Sequence, residues 1–492
     1  MINKIDLELD DIKSVCKKHS LDIDHFWLGV NKRYCLNKSK NSGCRTKRSG
    51  IPLDVLFQIA LCLPFFMGNS IKSFFMSSFQ KMLTCGSTPF YRFYQDSIFN
   101  WRNAVYSMNN QIELKCSDSE IIKNTNPTAL IVDDSVLPKR GKRIEGVSRV
   151  FDHVTRKHII GYKFLGICWF NGFYSRFLDF SLVAEKKLSF KRGKSQFNKK
   201  RNKNSAASLR KAELKKDKIS LACEMFTRAV KKGFIPDFFL CDTWFTCADI
   251  MNKVRLKSKG KTHFLGMIKD GRRKFIYEGQ KFTLGKLRKH LMTKKKRCSK
   301  YKSRYISVKC LLPEVGEVTV FFSRFSGNRK WVALITTKQD MSYIKMIQVY
   351  SIRWNIEIGF KEMKQLLGLG KSHANDFAAQ IAHASCVIIA HAILADCKYH
   401  EEYQSMGILF ESVKEQYNSL LTMDKILLLI EYILVTISQH LGGIKNITVD
   451  ELMNSSMYID FKNMIANSMT FNVEFAKSSL LSYSQDDISL AG

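Results

Sequence analysis

The spacing of apolar residues changes along the chain from a helical to a strand-like pattern. Residues 1–115 show mostly the helical pattern. At 129–132 a short apolar run ends in Asp133 and Asp134, as in a buried strand that stops at a functional site. Two β-rich runs follow, and the Asn-Gly pair at 171–172 between them is a strong signal for a hairpin. We therefore predict a strand followed by a two-stranded hairpin.

The pattern of an apolar strand ending in an aspartate recurs downstream. The run 238–241 ends in Asp242, and a helix and a further strand are predicted over 248–268. Residues 270–338 alternate in the manner of β-strands, whereas the chain beyond 342 has the spacing of amphipathic helices. The expected fold class is therefore α/β.

One predicted helix carries a polar stripe along the edge of its apolar face. Tyr350, Arg353, Glu357 and Lys364 fall within about 60° of one another on a helical projection. The apolar positions beside this stripe are Val349, Ile352, Ile356, Phe360, Met363 and Leu367. A carboxylate at the edge of a core is costly unless a cation meets it, and a divalent metal ion is one such cation. The alternative is a surface helix in which Arg353 and Glu357 form an ordinary ion pair.

Net charge identifies a class of partner only when it is combined with the position of the charged residues. The 492 residues carry a net charge of +35, which suits a nucleic acid but also occurs in ribosome-associated and membrane-surface proteins. Fourteen Lys and Arg residues lie in 186–218. We interpret this segment as a DNA-backbone contact, with a solvated linker as the alternative, and Lys199, Lys200 and Arg201 are the residues chosen to test it.

Cysteine spacing and apolar runs indicate a soluble intracellular protein. No Cys-x-x-Cys pair occurs among the 14 cysteines, so we expect reduced thiols and no zinc site. The apolar runs near 51–67 and 426–437 are interrupted by polar residues such as Asp54 and Glu431. Both runs are too short and too polar to span a bilayer.

The polar stripe has a spacing that is known from one enzyme family. Tyr350, Arg353, Glu357 and Lys364 form the pattern Tyr-x2-Arg-x3-Glu-x6-Lys. This pattern resembles the signature of the DDE transposases whose type member is insertion sequence 4. The resemblance covers about residues 125–380.

Members of that family have two metal-binding aspartates upstream of the signature, each at the end of a strand. Asp134, followed by Ser135, and Asp242, followed by Thr243, resemble these two positions. Neighbouring residues of a strand point to opposite faces, so only one of Asp133 and Asp134 can face the site. The family's Asp-Thr or Asp-Ser spacing favours Asp134, and Asp133 would then support the site or lie exposed.

The resemblance implies a fold, a chemistry and a set of partners. It implies a ribonuclease-H-like catalytic core with a β-rich insertion, flanked by N-terminal and C-terminal helical regions. Asp134, Asp242 and Glu357 would be catalytic and would bind two Mg²⁺ ions, with Mn²⁺ tolerated, while the Tyr, Arg and Lys of the signature would bind DNA phosphates. The implied activity is cut-and-paste transposition. Its substrate would be double-stranded DNA, namely the terminal inverted repeats of the element and the target DNA. The protein would act in the bacterial cytoplasm, in association with the nucleoid. A homodimer is expected in the paired-end complex, and no membrane partner.

Four regions are predicted. Residues 1–120 would form an N-terminal helical, DNA-binding region, and the catalytic core would comprise 125–268 and 341–380. The β-rich insertion would be 269–340, and 381–492 would be a C-terminal helical region that provides the dimer interface.

Several alternatives remain open at the level of sequence. A ribonuclease-H-like nuclease that cuts without joining would use the same catalytic residues. A basic protein descended from a transposase would bind nucleic acid without cutting it. Trp331, in the β-rich region, is a possible base-stacking residue, although a packing role is the commoner explanation for such a tryptophan.

Overall fold

A computed structural model describes residues 53–65, 71–75, 86–118, 126–192, 194–328, 330–400 and 402–415. The chain divides into two compact units. One comprises residues 1–35, 65–87 and 410–492, and the other comprises 36–64 and 88–409. The second unit contains every predicted site residue, and the description below concerns it. The predicted helices before residue 53 and after residue 415 lie outside the described residues.

Helices occur before, within and after the strands. In chain order they are α1 Leu53–Cys62, α2 Ile71–Phe75, α3 Ser87–Tyr94, α4 Trp101–Asp118, α5 Ala206–Glu213, α6 Lys218–Lys231, α7 Ala248–Lys257, α8 Leu284–His290, α9 Tyr343–Ser351, α10 Trp354–Gln365 and α11 Phe377–His400, with helical residues also at 406–415. Short 3-10 helices lie at Leu63–Phe65 and Met292–Lys294.

The strands form one mixed sheet. They are β1 Ala129–Pro138, β2 Ser148–Asp152, β3 Lys157–Phe170, β4 Ser175–Val183, β5 Phe238–Cys241, β6 His263–Ile268, β7 Lys274–Tyr277, β8 Gln280–Thr283, β9 Lys296–Cys298, β10 Ser303–Leu312, β11 Gly316–Phe325 and β12 Val332–Thr336. Their order is β2-β3-β1-β5-β6-β12-β11-β10-β7-β8, with β4 paired to β3 and β9 to β10. The predicted mixed α/β fold is confirmed.

The centre of the sheet is parallel and its flanks are antiparallel. β1 pairs in parallel with β5, and β5 in parallel with β6. β3 lies antiparallel to β1 on one side, and β12 lies antiparallel to β6 on the other. Because β1 and β5 run the same way, their carboxyl ends meet at one edge of the sheet.

The predicted hairpin is present as β3 and β4. The Asn171 side chain accepts hydrogen bonds from the backbone N–H groups of Phe173 and Tyr174. Gly172 has φ of +98°, a conformation that glycine adopts without a steric penalty. Both residues of the Asn-Gly pair therefore form the turn, as the sequence predicts.

Apolar side chains hold helices on both faces of the sheet. Leu130 and Val132 of β1 belong to one buried cluster with Leu221 and Met225 of α6. On the other face, the Phe360 ring of α10 packs against Phe164 at 5.9 Å between ring centroids. These two layers fix the direction in which each side chain of β1 points.

The predicted β-rich insertion extends the same sheet. β7 to β12 lie within 269–340, and β12 joins them to β6 through antiparallel pairing. The next predicted boundary, at 380/381, falls inside α11. This helix packs against β4 and α4, so its residues after 380 belong to the core unit.

α11 is the most apolar long helix of the described residues. Its length and composition would suit a membrane span, but 94% of its most apolar window is buried inside the protein. A central core helix has the same composition, and its contacts with β4 and α4 give it that role here. The sequence analysis did not single out this segment.

The predicted continuous helix over 350–364 is two helices. α9 ends at Ser351 and α10 begins at Trp354. Between them, the N–H of Ile352 bonds to the Val349 carbonyl and the N–H of Arg353 to the Tyr350 carbonyl. These bonds span three residues instead of four and tighten the backbone into a 3-10-like turn. Arg353 therefore lies at the junction, and Glu357 lies in the first turn of α10.

Candidate active site

Strand β1 presents its two adjacent aspartates to opposite faces of the sheet. Its pairing with β3 runs without interruption from Ala129 to Pro138, so side chains alternate strictly. Asp133 and Ser135 point towards α10, because Asp133 contacts Arg353 and Ser135 accepts a hydrogen bond from Lys364. Asp134 shares the other face with the residues that pack on α6.

The guanidinium of Arg353 joins two of the carboxylates. Its Nη1 lies 3.3 Å from Asp133 Oδ2, and its Nη2 lies 2.6 Å from Glu357 Oε1. The turn between α9 and α10 puts Arg353 at the end of β1, one helical turn before Glu357. Asp133 and Glu357 are therefore held on either side of one positive charge.

Asp242 reaches the same place from the neighbouring strand. In the parallel pairing, Val132 of β1 is level with Cys241 of β5, so Asp133 and Asp242 come next in register. Asp242 Oδ1 accepts a hydrogen bond of 2.9 Å from the backbone N–H of Trp244. This bond fixes the turn that follows β5 and orients the carboxylate.

The charge on Asp133 is incompletely compensated. Burial and the negative charge of Asp242 raise its pKa to about 7, against the opposing effects of the Asp134 N–H and Arg353. One guanidinium therefore does not balance the carboxylates that converge here. A buried, excess negative charge of this kind favours binding of a further cation.

Asp134 is committed to a different contact. Its Oδ2 lies 2.6 Å from the ammonium of Lys218, the first residue of α6, and its Oδ1 lies 4.0 Å from that of Lys163. Asp133, and not Asp134, contacts Arg353, which also binds Glu357. The two side chains point to opposite faces, as alternation along a strand predicts. That Asp134 is the catalytic aspartate stays a prediction, although its contacts differ from those of Asp133.

The two remaining residues of the polar stripe also lie at the strand ends. The Tyr350 hydroxyl donates a hydrogen bond of 3.3 Å to the Cys241 carbonyl, and burial raises its pKa. Lys364 Nζ donates a hydrogen bond of 2.6 Å to Ser135 Oγ. Burial lowers the pKa of Lys364, as expected for an ammonium with little water around it.

The donor atoms suit a hard divalent cation, although they are not assembled around one position. Among the described residues, no three His, Cys, Asp or Glu side chains are grouped closely enough to hold a metal ion as they stand. Asp133 and Asp242 are neighbours, whereas Glu357 is bound to Arg353 and its side chain is 36% exposed. Carboxylate oxygens are the ligands that Mg²⁺ prefers, so the chemistry of the three side chains fits this ion, although their positions do not assemble a site.

Some positive charges of the basic segment 186–218 are paired within the fold. Arg201 is only 3% exposed and pairs with Glu145 at 2.7 Å and with Asp376 at 2.6 Å. Lys199 also contacts Asp376, at 3.2 Å, whereas Lys200 is exposed. The prediction that Arg201 is available to DNA is therefore wrong, because its charge is used inside the fold.

Two lysines near the site escaped the sequence analysis. Lys163 is almost completely buried beside Asp134. Lys139 donates hydrogen bonds to the carbonyls of Gly370 and Ser372, and burial lowers its pKa to about 8. Neither residue belongs to a motif, since each depends on partners that only the folded chain brings close. Trp331, in contrast, packs against the main apolar cluster with Arg324 above its ring, as expected for a packing role.

Two family models match this part of the chain. One, described as DDE superfamily endonuclease, matches residues 90–258, and the other, described as Transposase DDE domain, matches residues 221–393. Together they include the ends of β1 and β5 and all of α10. The matches support a DDE transposase or endonuclease, and such domains imply DNA as the partner.

Comparisons with other proteins add little to these family matches. No curated protein matches the chain. The crystal structure of the NurA nuclease from Sulfolobus solfataricus is similar at 10% identity and a TM-score of 0.24, covering 51% of this chain and 82% of that chain. A TM-score this low carries no conclusion about fold or function.

Proposed function

We propose that this protein is a cut-and-paste DNA transposase of the family whose type member is insertion sequence 4, with Asp133, Asp242 and Glu357 as its catalytic carboxylates. The observation that carries the proposal is the placing of two of these carboxylates at adjacent strand ends, with the third linked to them through an arginine. Asp133 and Asp242 end adjacent parallel strands, and Arg353 joins Asp133 to Glu357. The family matches supply the coarser support for a DDE enzyme.

The topology agrees with the proposed ribonuclease-H-like core. Three central strands, β1, β5 and β6, run in parallel, with the β3–β4 hairpin antiparallel beside β1. The β-rich region then separates the second aspartate from the helix that carries the glutamate, as the family resemblance implies. In this proposal Asp133 takes the place that the sequence spacing favoured for Asp134.

Asp133, Asp242 and Glu357 would hold two Mg²⁺ ions, with Mn²⁺ as a tolerated substitute. Two such ions activate the attacking oxygen and stabilise the leaving oxygen of a phosphodiester. The same set of carboxylates can serve end cleavage and strand transfer, because in both reactions an oxygen attacks phosphorus. The raised pKa of Asp133 makes it the carboxylate that gains most from a bound cation.

The other residues of the stripe would bind and orient the DNA. Arg353, once released from Glu357, can bind a phosphate with two parallel N–H donors. The Tyr350 hydroxyl stays protonated, because burial raises its pKa, and it can donate a hydrogen bond to the same phosphate. Lys364, with its Nζ on Ser135 of β1, would bind a further phosphate of the DNA.

The proposed partners are the terminal inverted repeats of a mobile element and a target DNA, brought together by a homodimer in the bacterial cytoplasm. The predicted dimer interface over 381–492 needs revision in part. Residues up to 400 lie in α11, which is buried in the core unit. Any C-terminal interface is therefore proposed for the chain beyond α11.

A nuclease that cuts without joining is the second candidate, because one of the two family models describes an endonuclease. It would use the same three carboxylates, so only the reaction products distinguish the two functions. A transposase joins the excised fragment to new DNA, and a nuclease leaves it free.

The test is cleavage of a DNA fragment that carries the element's own ends, with Mg²⁺, by the wild type and by Glu357→Gln. We expect the wild type to excise the fragment and join it to target DNA, and the variant to bind but not cut. Glu317→Gln, the same change at an exposed position of β11, is the matched control and should leave cutting intact. Cutting that survives Glu357→Gln would overturn the proposed site, and cutting without joining would favour the nuclease.

A further inference from the structure

A groove beside the candidate active site combines an exposed aromatic ring with unpaired positive charges. It encloses about 520 Å³ and is lined by Thr243, Trp244, Thr246, Lys269, Arg272 and Arg273, among others. Clefts of this size accept ligands of a few hundred daltons or a segment of polymer. The groove adjoins Asp242, which directly precedes its first lining residue.

Trp244 is held in an exposed position by the residues around it. Its backbone N–H is bound by the Asp242 carboxylate at 2.9 Å, so the turn that carries it is fixed. The next residue, Phe245, is buried in the core, whereas the Trp244 side chain is 59% exposed. A large apolar ring on a rigid turn loses little conformational freedom when a ligand binds to it, which favours a binding role over packing.

A cation fixes the indole ring from one side. The ammonium of Lys218 lies 4.1 Å from the centroid of the Trp244 ring and 2.6 Å from Asp134 Oδ2. The interaction of an ammonium with the face of an indole is attractive, and the carboxylate of Asp134 holds the ammonium in place. The Asp134–Lys218 pair therefore orients the ring that lines the groove.

The walls of the groove carry positive charge only. Lys269 and Arg272 are exposed, and neither forms a salt bridge within the described part of the chain. Arg273 donates a long hydrogen bond of 3.4 Å to the Thr246 carbonyl. Asp242 and Asp270 lie next to lining residues in the sequence, but neither lines the groove. Asp270 accepts a hydrogen bond of 3.0 Å from the backbone N–H of Gly285.

We propose that this groove binds a single-stranded segment of DNA, with one base stacked on Trp244 and the adjacent phosphates bound by Lys269 and Arg272. An exposed aromatic platform next to unpaired cations is the combination that binds unpaired nucleotides, because every base offers a flat face and every linkage a negative charge. Two other ligands fit the groove less well. A protein partner would need a surface that is both acidic and apolar. In duplex DNA the bases are stacked on one another and are not available to the Trp244 ring. The inference rests on the proposed function for the identity of the nucleic acid as DNA.

Binding is measured by fluorescence anisotropy of a labelled single-stranded oligonucleotide and of the matching duplex, in EDTA. Because no cutting occurs without a divalent ion, the result does not depend on whether the protein is a transposase. We expect Trp244→Ala to weaken single-strand binding by about tenfold and to leave duplex binding within about twofold. Trp244→Phe, which keeps a ring, should restore most of the affinity.

A second pair of variants tests the phosphate contacts. Arg272→Ala should reduce the slope of log affinity against log salt by about 0.7 for the single strand, since one phosphate contact is lost. Lys257→Ala removes the same charge at the far end of α7 and should leave the slope unchanged. Equal losses on single strand and duplex for Trp244→Ala, or no loss on either, would overturn the stacking proposal.

Discussion

Two clusters of acids in this protein differ in how their charge is balanced. In the first, Asp179 and Glu213 are buried with three arginines. Arg102 contacts Asp179 at 2.7 Å and Glu213 at 2.8 Å, Arg228 contacts Asp179 at 2.8 Å, and Arg210 lies 3.9 Å from Asp179. Burial opposes ionisation of Asp179, but the three arginines outweigh it and bring its pKa to about 2.

The second cluster is the candidate active site, where acidic groups outnumber arginines. Asp133 and Glu357 share one guanidinium, that of Arg353, and Asp242 lies beside Asp133 on the neighbouring strand. Burial and the charge of Asp242 raise the pKa of Asp133 to about 7. Two acids meet three arginines in the first cluster, whereas in the second two acids meet one arginine and a third acid lies beside them.

The contrast separates stability from function. A buried carboxylate whose charge is fully balanced stabilises the fold only as long as its partners remain. A buried carboxylate left unbalanced destabilises the free protein, and such strain is typical of a site that awaits a charged ligand. The predictions below test whether the two clusters differ in this way.

The largest difference is expected in stability. Asp179→Asn leaves buried arginines without their carboxylate and should lower the free energy of unfolding by about 3–5 kcal/mol. Asp133→Asn removes an unbalanced charge and should leave the free energy unchanged or raise it at pH 8. Urea unfolding of both variants in EDTA measures the two values, and similar losses would mean that the clusters are equivalent.

A smaller effect is expected in the pH dependence of the unfolding free energy, to which Asp133 and Asp179 contribute with opposite sign. Asp133 has a folded pKa of about 7, well above the ordinary value of an aspartate, so the folded state binds more protons than the unfolded state between about pH 4 and 7. Its contribution to stability is therefore lost as pH rises through this window. Asp179, with a pKa of about 2, stabilises above about pH 4, and its contribution is lost as pH falls towards 2.

The measurement is the unfolding free energy of wild type and Asp133→Asn from pH 4 to 8, without divalent ions. The unfolding free energy of the variant relative to that of the wild type should increase as pH rises. The difference should become constant above about pH 7. A difference that stays constant across the range would show that Asp133 ionises normally and that the site carries no excess charge.

The sequence predicted elements well where the information was local. The strand before Asp242, the Asn-Gly hairpin and the spacing of the four polar residues depend on short stretches of chain. The break at Ile352–Arg353 was missed, because the apolar spacing continues across it. Helical periodicity shows which residues share a face, but it does not show a turn of 3-10-like bonds.

Charge assignments failed where partners are distant. Arg201 was grouped with its basic neighbours, but its partners Glu145 and Asp376 lie 56 and 175 residues away. The choice between Asp133 and Asp134 depends on distant partners in the same way. Alternation shows that the two side chains point to opposite faces, whereas their contacts with Arg353 and Lys218 form only in the folded chain.

The central claim is that Asp133 is the first catalytic carboxylate, and the direct test is to compare Asp133→Asn with Asp134→Asn. Both proteins are given DNA carrying the element's ends, with Mg²⁺, and cutting and binding are measured together. We predict that Asp133→Asn binds the ends but loses cutting by at least about a thousandfold, since several kcal/mol of transition-state stabilisation is removed. Asp134→Asn should retain most of its activity. Full activity in Asp133→Asn with loss of cutting in Asp134→Asn would contradict the account.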